Sequence, residues 1–363
     1  MERIRYFVVG SGYRAKLYAR VAAAWPGQFE MLGFLCRSEE KAEKMRSECG
    51  VYAGTDPEDF LAKNPDFAVI AVSKDAMADV AESWVRTGLS VVTETPAGSS
   101  VDKLIRLWEL QEEMGARIQV CEQYWRVPIL AAGLAAVAAG KIGTPRSAYL
   151  SLAHDYHGAS MLRRMLQVPV GEPFVLHGVR MTNPVVETDS REGALYAGVP
   201  ARRARDMVHL SFASGKEAIY DFSGVQFRSF IRSRHLCVRG ERGEWSDTVL
   251  LHLDAENDPV RELLLPEIAP AYRALDTQRL RDLRRSWKPE LVLEQDQDDF
   301  AVACHLLDMG RYCRGGAEAY PLAEALEDAY TWLLFARACE RPWEEIVSSE
   351  MPWHTRERKN GGM

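Results

Sequence analysis

The sequence has no run of about 18 uninterrupted apolar residues, the length a membrane-spanning helix needs, so no span is expected. The apolar segment from Ile129 to Ala139 is too short and too rich in alanine, and reads as a buried helix. Cys-x-x-Cys pairs are missing as well. The 7 cysteines (36, 49, 121, 237, 304, 313 and 339) are odd in number and scattered. That is the pattern of reduced core residues in a cytoplasmic protein and excludes a disulfide framework. Basic charge is not in excess: 45 Lys and Arg against 52 Asp and Glu leave a formal net charge of −7. Nucleic acid is therefore not the expected partner, because phosphate binding calls for a net basic surface. The basic runs Arg202-Arg203-Ala204-Arg205 and Arg281 to Arg285 read as solvated helix faces. The opening Met1-Glu2-Arg3-Ile4-Arg5 lacks the long apolar region of a signal peptide and leads straight into a short strand-like run.

What is present points to two domains. The chain has 363 residues, 47% of them hydrophobic, enough apolar surface for ordinary cores. Up to Cys121, short apolar runs alternate with amphipathic stretches. The runs are Ile4–Val9, Met31–Leu35, Phe67–Val72, Ser90–Thr93 and Arg117–Cys121. Asp56-Pro57 and Ser100 offer helix N-caps, while Gly88 and Gly115 offer stops. This alternation predicts a parallel sheet covered on both faces. After Cys121 the pattern changes to alternating strands: Ser147–Ala153, Met207–Phe212, Glu217–Phe222, Ser229–Arg239 and Trp245–Leu253. Ser214-Gly215 and Gly240 to Gly243 read as hairpin turns. Asp254 to Pro289 reads as a charged insertion or surface helix, and Pro321 to Glu340 as a closing helix. The expected architecture is α/β: a domain over 1–123 with a parallel sheet, then an α+β domain over 124–355 with a mainly antiparallel open sheet. Residues 356–363 are expected to form a flexible tail.

Gly10-Ser11-Gly12-Tyr13-Arg14-Ala15 fits G-x-G-x-x-G/A, placed after a strand and at the start of a helix. In that context the glycines allow a tight turn and let backbone N–H groups approach a pyrophosphate at the helix N-terminus. The first domain is thus expected to be a dinucleotide-binding Rossmann domain, with Val72 at a later strand end among the cofactor-binding residues. A carboxylate about 20 residues past the glycines marks NAD, because it accepts from the ribose 2′-hydroxyl. Cys36-Arg37-Ser38 stands there instead. Arg37 can fork onto a 2′-phosphate and Ser38 can donate to it, so NADP(H) is expected over NAD(H); the alternative is an Arg37 that stacks on adenine. Glu39 and Glu40 fall in a helix's first turn, where acids favour the dipole anyway.

Val92-Thr93-Glu94-Thr95-Pro96, followed later by Gly140-Lys141-Ile142-Gly143 leading into a strand, completes a pattern. It resembles the glucose–fructose oxidoreductase and inositol dehydrogenase family (Gfo/Idh/MocA), over essentially the whole chain. The resemblance implies NAD(P)-linked oxidation or reduction of a sugar or cyclitol hydroxyl, and assembly as a homo-dimer or tetramer. The family's Glu-Lys-Pro segment corresponds to Glu94-Thr95-Pro96, with threonine in place of the lysine that helps move the hydroxyl proton. The family's helix-opening histidine corresponds to His157 in Ala153-His154-Asp155-Tyr156-His157, while its aspartate slot holds Ala153. His157, Tyr156 and Thr95 are therefore the catalytic candidates, and helix capping is the alternative for His157. Glu94 and Pro96 join Gly10, Ser11, Gly12, Tyr13, Arg14, Arg37, Ser38, Val72 and Thr95 as cofactor-binding candidates.

His154 and His157, three apart, would share a helix face, but nothing in the sequence brings His177 or His209 near them, so no metal is expected. No Gly-x-Ser-x-Gly elbow, Walker loop or Cys/His nucleophile set competes. The expected function is a cytoplasmic oxidoreductase with a small sugar- or polyol-like substrate in an interdomain cleft. A nucleotide-binding relative without redox turnover, serving as ligand sensor or assembly subunit, is the rival. A cofactor held tightly for internal oxidation and re-reduction is a third possibility.

Overall fold

The computed structural model describes residues 2–190, 193–266, 268–285 and 295–354, which fall into two compact units. The first unit contains residues 2–128, 268–285 and 295–329, and the second contains 129–266 and 330–354. The first unit thus extends to Pro128 and takes in two later segments. The expected tail, 356–363, lies outside the described residues.

Six parallel strands form the sheet of the first unit: β1 (Ile4–Val9), β2 (Phe29–Leu35), β3 (Ala53–Gly54), β4 (Phe67–Ile70), β5 (Ser90–Thr93) and β6 (Ile118–Val120). Their order is β3-β2-β1-β4-β5-β6, so the strand order reverses between β1 and β4, where doubly wound sheets bind their ligands. Near-continuous apolar runs make these strands, and both faces are buried, as in Phe67–Ile70, where all four residues are inaccessible. The helices are α1 (Tyr13–Ala24), α2 (Glu39–Cys49), α3 (Pro57–Leu61), α4 (Lys74–Val85) and α5 (Val101–Met114). Asp56 caps α3 with Pro57 at its first position. Ser100 caps α5, and Gly115 ends it in the left-handed conformation.

The second unit opens with α6 (Pro128–Ala138) and α7 (Asp155–Leu166). Its strands are β7 (Pro145–Ser151), β8 (Phe174–Val186), β9 (Pro200–Phe212), β10 (Glu217–Phe222), β11 (His235–Gly240), β12 (Gly243–Ser246), β13 (Val249–Leu253), β14 (Pro259–Leu263) and β15 (Ile346–Val347). They form one sheet ordered β14-β13-β12-β11-β7-β10-β9-β8-β15, antiparallel except where β10 runs parallel to β7. Residues alternate across it. Ala218, Tyr220, Phe222, Leu236, Val238 and Leu250 are buried on one face, while Ile219, Leu251 and Leu263 stay exposed on the other.

Three further helices follow: α8 (Gln278–Arg285), α9 (Gln295–Cys313) and α10 (Leu322–Glu340). Leu275, Leu280, Phe300, Leu306 and Leu307 are buried in the same core as Tyr6, Val8 and Tyr18 of the first unit. Trp25 donates its indole N–H to the Leu275 carbonyl at 2.9 Å.

Several expectations need correction. Ser229–Arg239 is strand only from His235, because side chains occupy the backbone before it: Gln226 donates to the Ser233 carbonyl and Arg234 to those of Gln226 and Phe227. Trp245–Leu253 is two strands, split at Asp247, whose φ is 50° and whose carboxylate accepts the Leu236 N–H at 2.9 Å. The 13-residue β8 has no counterpart in the sequence reading. Arg202-Arg203-Ala204-Arg205 lies on strand β9 and not on a helix. Asp254 to Pro289 contains β14 and α8, with two leucines buried in the first unit's core; its last residues, 286–289, lie outside the described ones.

Candidate active site

The turn that follows β1 is built for a close approach. Gly10 has φ +132°, and a Cβ there would lie 2.2 Å from the Ala71 carbonyl oxygen after β4. Only glycine fits. At Gly12 the reverse holds: a Cβ would meet nothing within 4 Å. Gly12 is also the N-cap of α1, which has no side-chain cap, whereas Ser38, Asp56 and Ser100 cap α2, α3 and α5. An uncapped helix N-terminus beside open space, at the sheet's switch point, fits a pyrophosphate. Ser11 and Val72 are half-buried and Tyr13 is exposed around that turn.

At the end of β2, Arg37 is exposed and makes no hydrogen bond or ion pair among the described residues. Ser38 accepts the Lys41 N–H at 3.4 Å, which leaves its own hydroxyl hydrogen free to donate. Glu39, the acid next in sequence, is held by Arg46 at 2.5 Å.

Glu94, at the end of β5, turns inward. It is only 5% exposed, and its Oε1 accepts from Tyr18 Oη at 2.7 Å and from Arg14 Nε at 3.0 Å. Arg14 reaches on from there to Asp298 of α9 at 2.9 Å. Burial works against the Arg14 charge, but Glu94 and Asp298 overcome it and hold the guanidinium protonated well above its ordinary range. Burial, helped by Cys121 and Glu94, likewise pushes the Tyr18 phenol up. The sequence named Arg14 and Glu94 separately. Their pairing, and the part of Asp298, were missed, since 80 and 284 residues separate the partners. Thr95 is half-buried, Pro96 is buried, and the bond between them is cis. The Thr95 N–H donates to Glu94 Oε2 at 3.3 Å.

In the second unit, His154, Tyr156 and His157 come together at the start of α7. His154 is the N-cap residue and is half-buried, while His157 and Tyr156 are 6% and 1% exposed. The His154 and His157 rings meet edge to face at 5.0 Å, and Tyr156 lies 5.9 Å from His157. Phe227 packs on His154 at 4.8 Å. His177 and His209 face each other across β8 and β9, beside Glu345 and Glu217. No group of three or more His, Cys, Asp or Glu is placed to hold a metal among the described residues.

Residues 4–122 match the Gfo/Idh/MocA family model, an oxidoreductase family with an NAD-binding Rossmann fold. The whole chain shares its fold with solved oxidoreductases. An NAD-binding oxidoreductase from Klebsiella pneumoniae superposes with a TM-score of 0.70 at 15% identity, covering 96% of this chain and 100% of that one. Levoglucosan dehydrogenase, solved with NADH and levoglucosan, gives 0.70 at 14% identity, with 96% and 100% covered. The WlbA dehydrogenase from Bordetella pertussis, solved with NADH and UDP-GlcNAcA, gives 0.66 at 16%, with 96% and 99% covered. No curated protein sequence matches the chain.

Proposed function

We propose that the protein is an NAD(P)-dependent oxidoreductase, since residues 4–122 match the model of the NAD-binding Gfo/Idh/MocA oxidoreductase family. Its substrate would be a sugar, a cyclitol or a related hydroxyl or carbonyl compound. The observation that carries this reading is the uncapped N-terminus of α1 with open space at Gly12. When bound, the nicotinamide ring exchanges a hydride with the substrate carbon. The chain's own task is to orient that substrate and to hold or take its hydroxyl proton, and His157 and Tyr156 are the residues proposed for it. Turnover of NADPH or NADP+, followed by absorbance against a panel of sugars, cyclitols and their keto forms, tests the reading. If the protein binds nucleotide and an unchanged ligand without turnover, the sensor reading replaces it. That second reading draws on Thr95, which carries no charge at any useful pH, and on Glu94, already engaged by Arg14 and Tyr18.

The cofactor proposed is NADP(H) in preference to NAD(H). An exposed Arg37, a Ser38 hydroxyl able to donate, and a Glu39 occupied by Arg46 favour a 2′-phosphate at the end of β2. One charge-assisted contact contributes about 1.5–3 kcal/mol, or roughly tenfold to a hundredfold in affinity. Calorimetric titration is expected to give NADPH the lower Kd by that factor, and Arg37→Asp is expected to reverse the preference. Equal affinities for the two nucleotides would overturn the proposal.

A homo-dimer or tetramer, formed through the uncovered face of the second unit's sheet, is proposed as the assembly. Ile219, Leu251, Leu253 and Leu263 are each about two-fifths exposed there, more apolar surface than one sheet face usually leaves in water. Light scattering at micromolar concentration should return a multiple of 40.9 kDa; a monomer mass would count against it. No helix among the described residues is long and apolar enough to cross a membrane, and a cytoplasmic location is proposed.

A further inference from the structure

The start of α7 contains a backbone conformation that its residue disfavours. Asp155, the first helical residue, has φ +47°, in the left-handed region that glycine enters freely and L-residues enter at a cost. A specific contact holds it there. Asp155 donates its N–H to the Tyr220 hydroxyl at 3.0 Å. Tyr220 comes from the buried face of β10, opposite Leu150 of β7 and Val208 of β9. Its ring fills the space beneath the helix: a Cβ on Gly158 would sit 2.4 Å from the Tyr220 ring, and Phe335 of α10 packs on the ring at 5.1 Å. Burial pushes the Tyr220 phenol far above its ordinary range, so the group stays a neutral hydroxyl whose oxygen accepts that N–H.

The residue before the strained turn is His154, and the residue two after it is His157. Their rings lie edge to face at 5.0 Å, with an interplanar angle of 65°. The torsion angles at Asp155 decide where the N-cap His154 lies relative to the first turn of α7, and hence whether the two imidazoles meet. We propose that Tyr220 is a positioning residue for the His154–His157 pair: its hydroxyl pins the left-handed turn at Asp155 and thereby sets the approach of the two rings. The catalytic consequence rests on the reading above, in which this segment handles the substrate proton.

Tyr220→Phe keeps the ring that packs on Gly158 and Phe335 and removes only the hydroxyl. In the full-length protein labelled with ¹³C-histidine, whose 8 histidines are assigned by His→Gln variants, the His154 and His157 ring signals should shift while His252 and His305 stay in place. The melting temperature should fall by about 2–4 °C. Asp155→Gly removes the strain, so Tyr220→Phe in that background should cost no more than about half as much. With an active substrate, kcat should drop about tenfold to a hundredfold at unchanged KM, the signature of a misplaced group. Unmoved His154 and His157 signals, or an equal loss of melting temperature in both backgrounds, would overturn the assignment. A wild type that turns over no substrate would instead sink the oxidoreductase reading, and the spectroscopic and melting results would still decide the pin.

Discussion

Asp308→Ala is expected to cost the first unit about 3–5 kcal/mol, the largest loss from any single side-chain truncation proposed for it. Arg126, in the turn after β6, and Asp308 of α9 form an ion pair at 2.6 Å, with side chains 1% and 6% exposed. Tyr272 donates to Asp308 Oδ2 at 2.8 Å and Arg311 to Oδ1 at 3.1 Å. The other side of the Arg126 guanidinium lies 4.0 Å above the Trp125 ring. Burial pushes the Tyr272 phenol up to about 12, so it remains a donor throughout the working pH range. Truncating Asp308 leaves a guanidinium in the core with no carboxylate, and a buried charge without its partner is what makes such changes costly. Urea unfolding followed by tryptophan fluorescence measures the loss. Replacing both partners, with Arg126→Met and Asp308→Leu, is expected to be close to neutral, because the desolvation penalty disappears together with the attraction. A loss under about 1 kcal/mol for Asp308→Ala, the range of an exposed ion pair, would show that water reaches the carboxylate.

For activity, the largest effect is expected from His157→Ala. A positioned acid or base contributes typically 10²- to 10⁴-fold, and the uncharged Thr95 leaves that contribution to the group at the start of α7. Under the proposed function, His157→Ala should reduce kcat/KM by at least a hundredfold, while Thr95→Ala, which removes one neutral hydroxyl, should cost about tenfold or less. Both variants should bind NADPH as the wild type does. If His157→Ala turns over normally and Thr95→Ala is dead, the proton assignment is wrong. Thr95→Lys is informative only if activity rises, since Glu94 is already committed to Arg14 and Tyr18.

The parts of the fold that were legible in the sequence are those where local pattern and burial agree. β1 and β5 begin and end at Ile4–Val9 and Ser90–Thr93, as read, because both faces are largely buried and most of their residues are apolar. β8 was missed because its pattern breaks: Leu176 and Gly178 are buried, Thr182, Asn183 and Pro184 are exposed, and Val185 is buried again. A ribbon partly in solvent has no steady alternation to read. The glycine turn was legible because a tight turn restricts which residues can form it. The engagement of Glu94 was not, since it depends on α9, whose Asp298 lies 284 residues from Arg14. Nor was the left-handed Asp155, because the residue type most often found there, glycine, is absent and a β-strand tyrosine compensates.

The placement of α9 has a consequence for how the chain comes off the ribosome. All six strands of the nucleotide-binding sheet have been translated once residue 120 is made, yet the core around β1 and α1 also needs Phe300, Leu306, Leu307 and Met309. Until they emerge, the face that α9 covers has no partner, and Arg14 and Arg20 lack Asp298 and Asp299. The second unit has nearly all of its sheet in hand earlier, when residue 263 has been made. Both units are thus completed late: the first waits for α9, and the second still waits for the end of α10 and for β15. A ribosome stalled before residue 300 would carry a chain whose glycine turn is present but whose supporting helix is not. NADP(H) added to such nascent chains should find few takers, and capture of the nucleotide would mark a chain close to release.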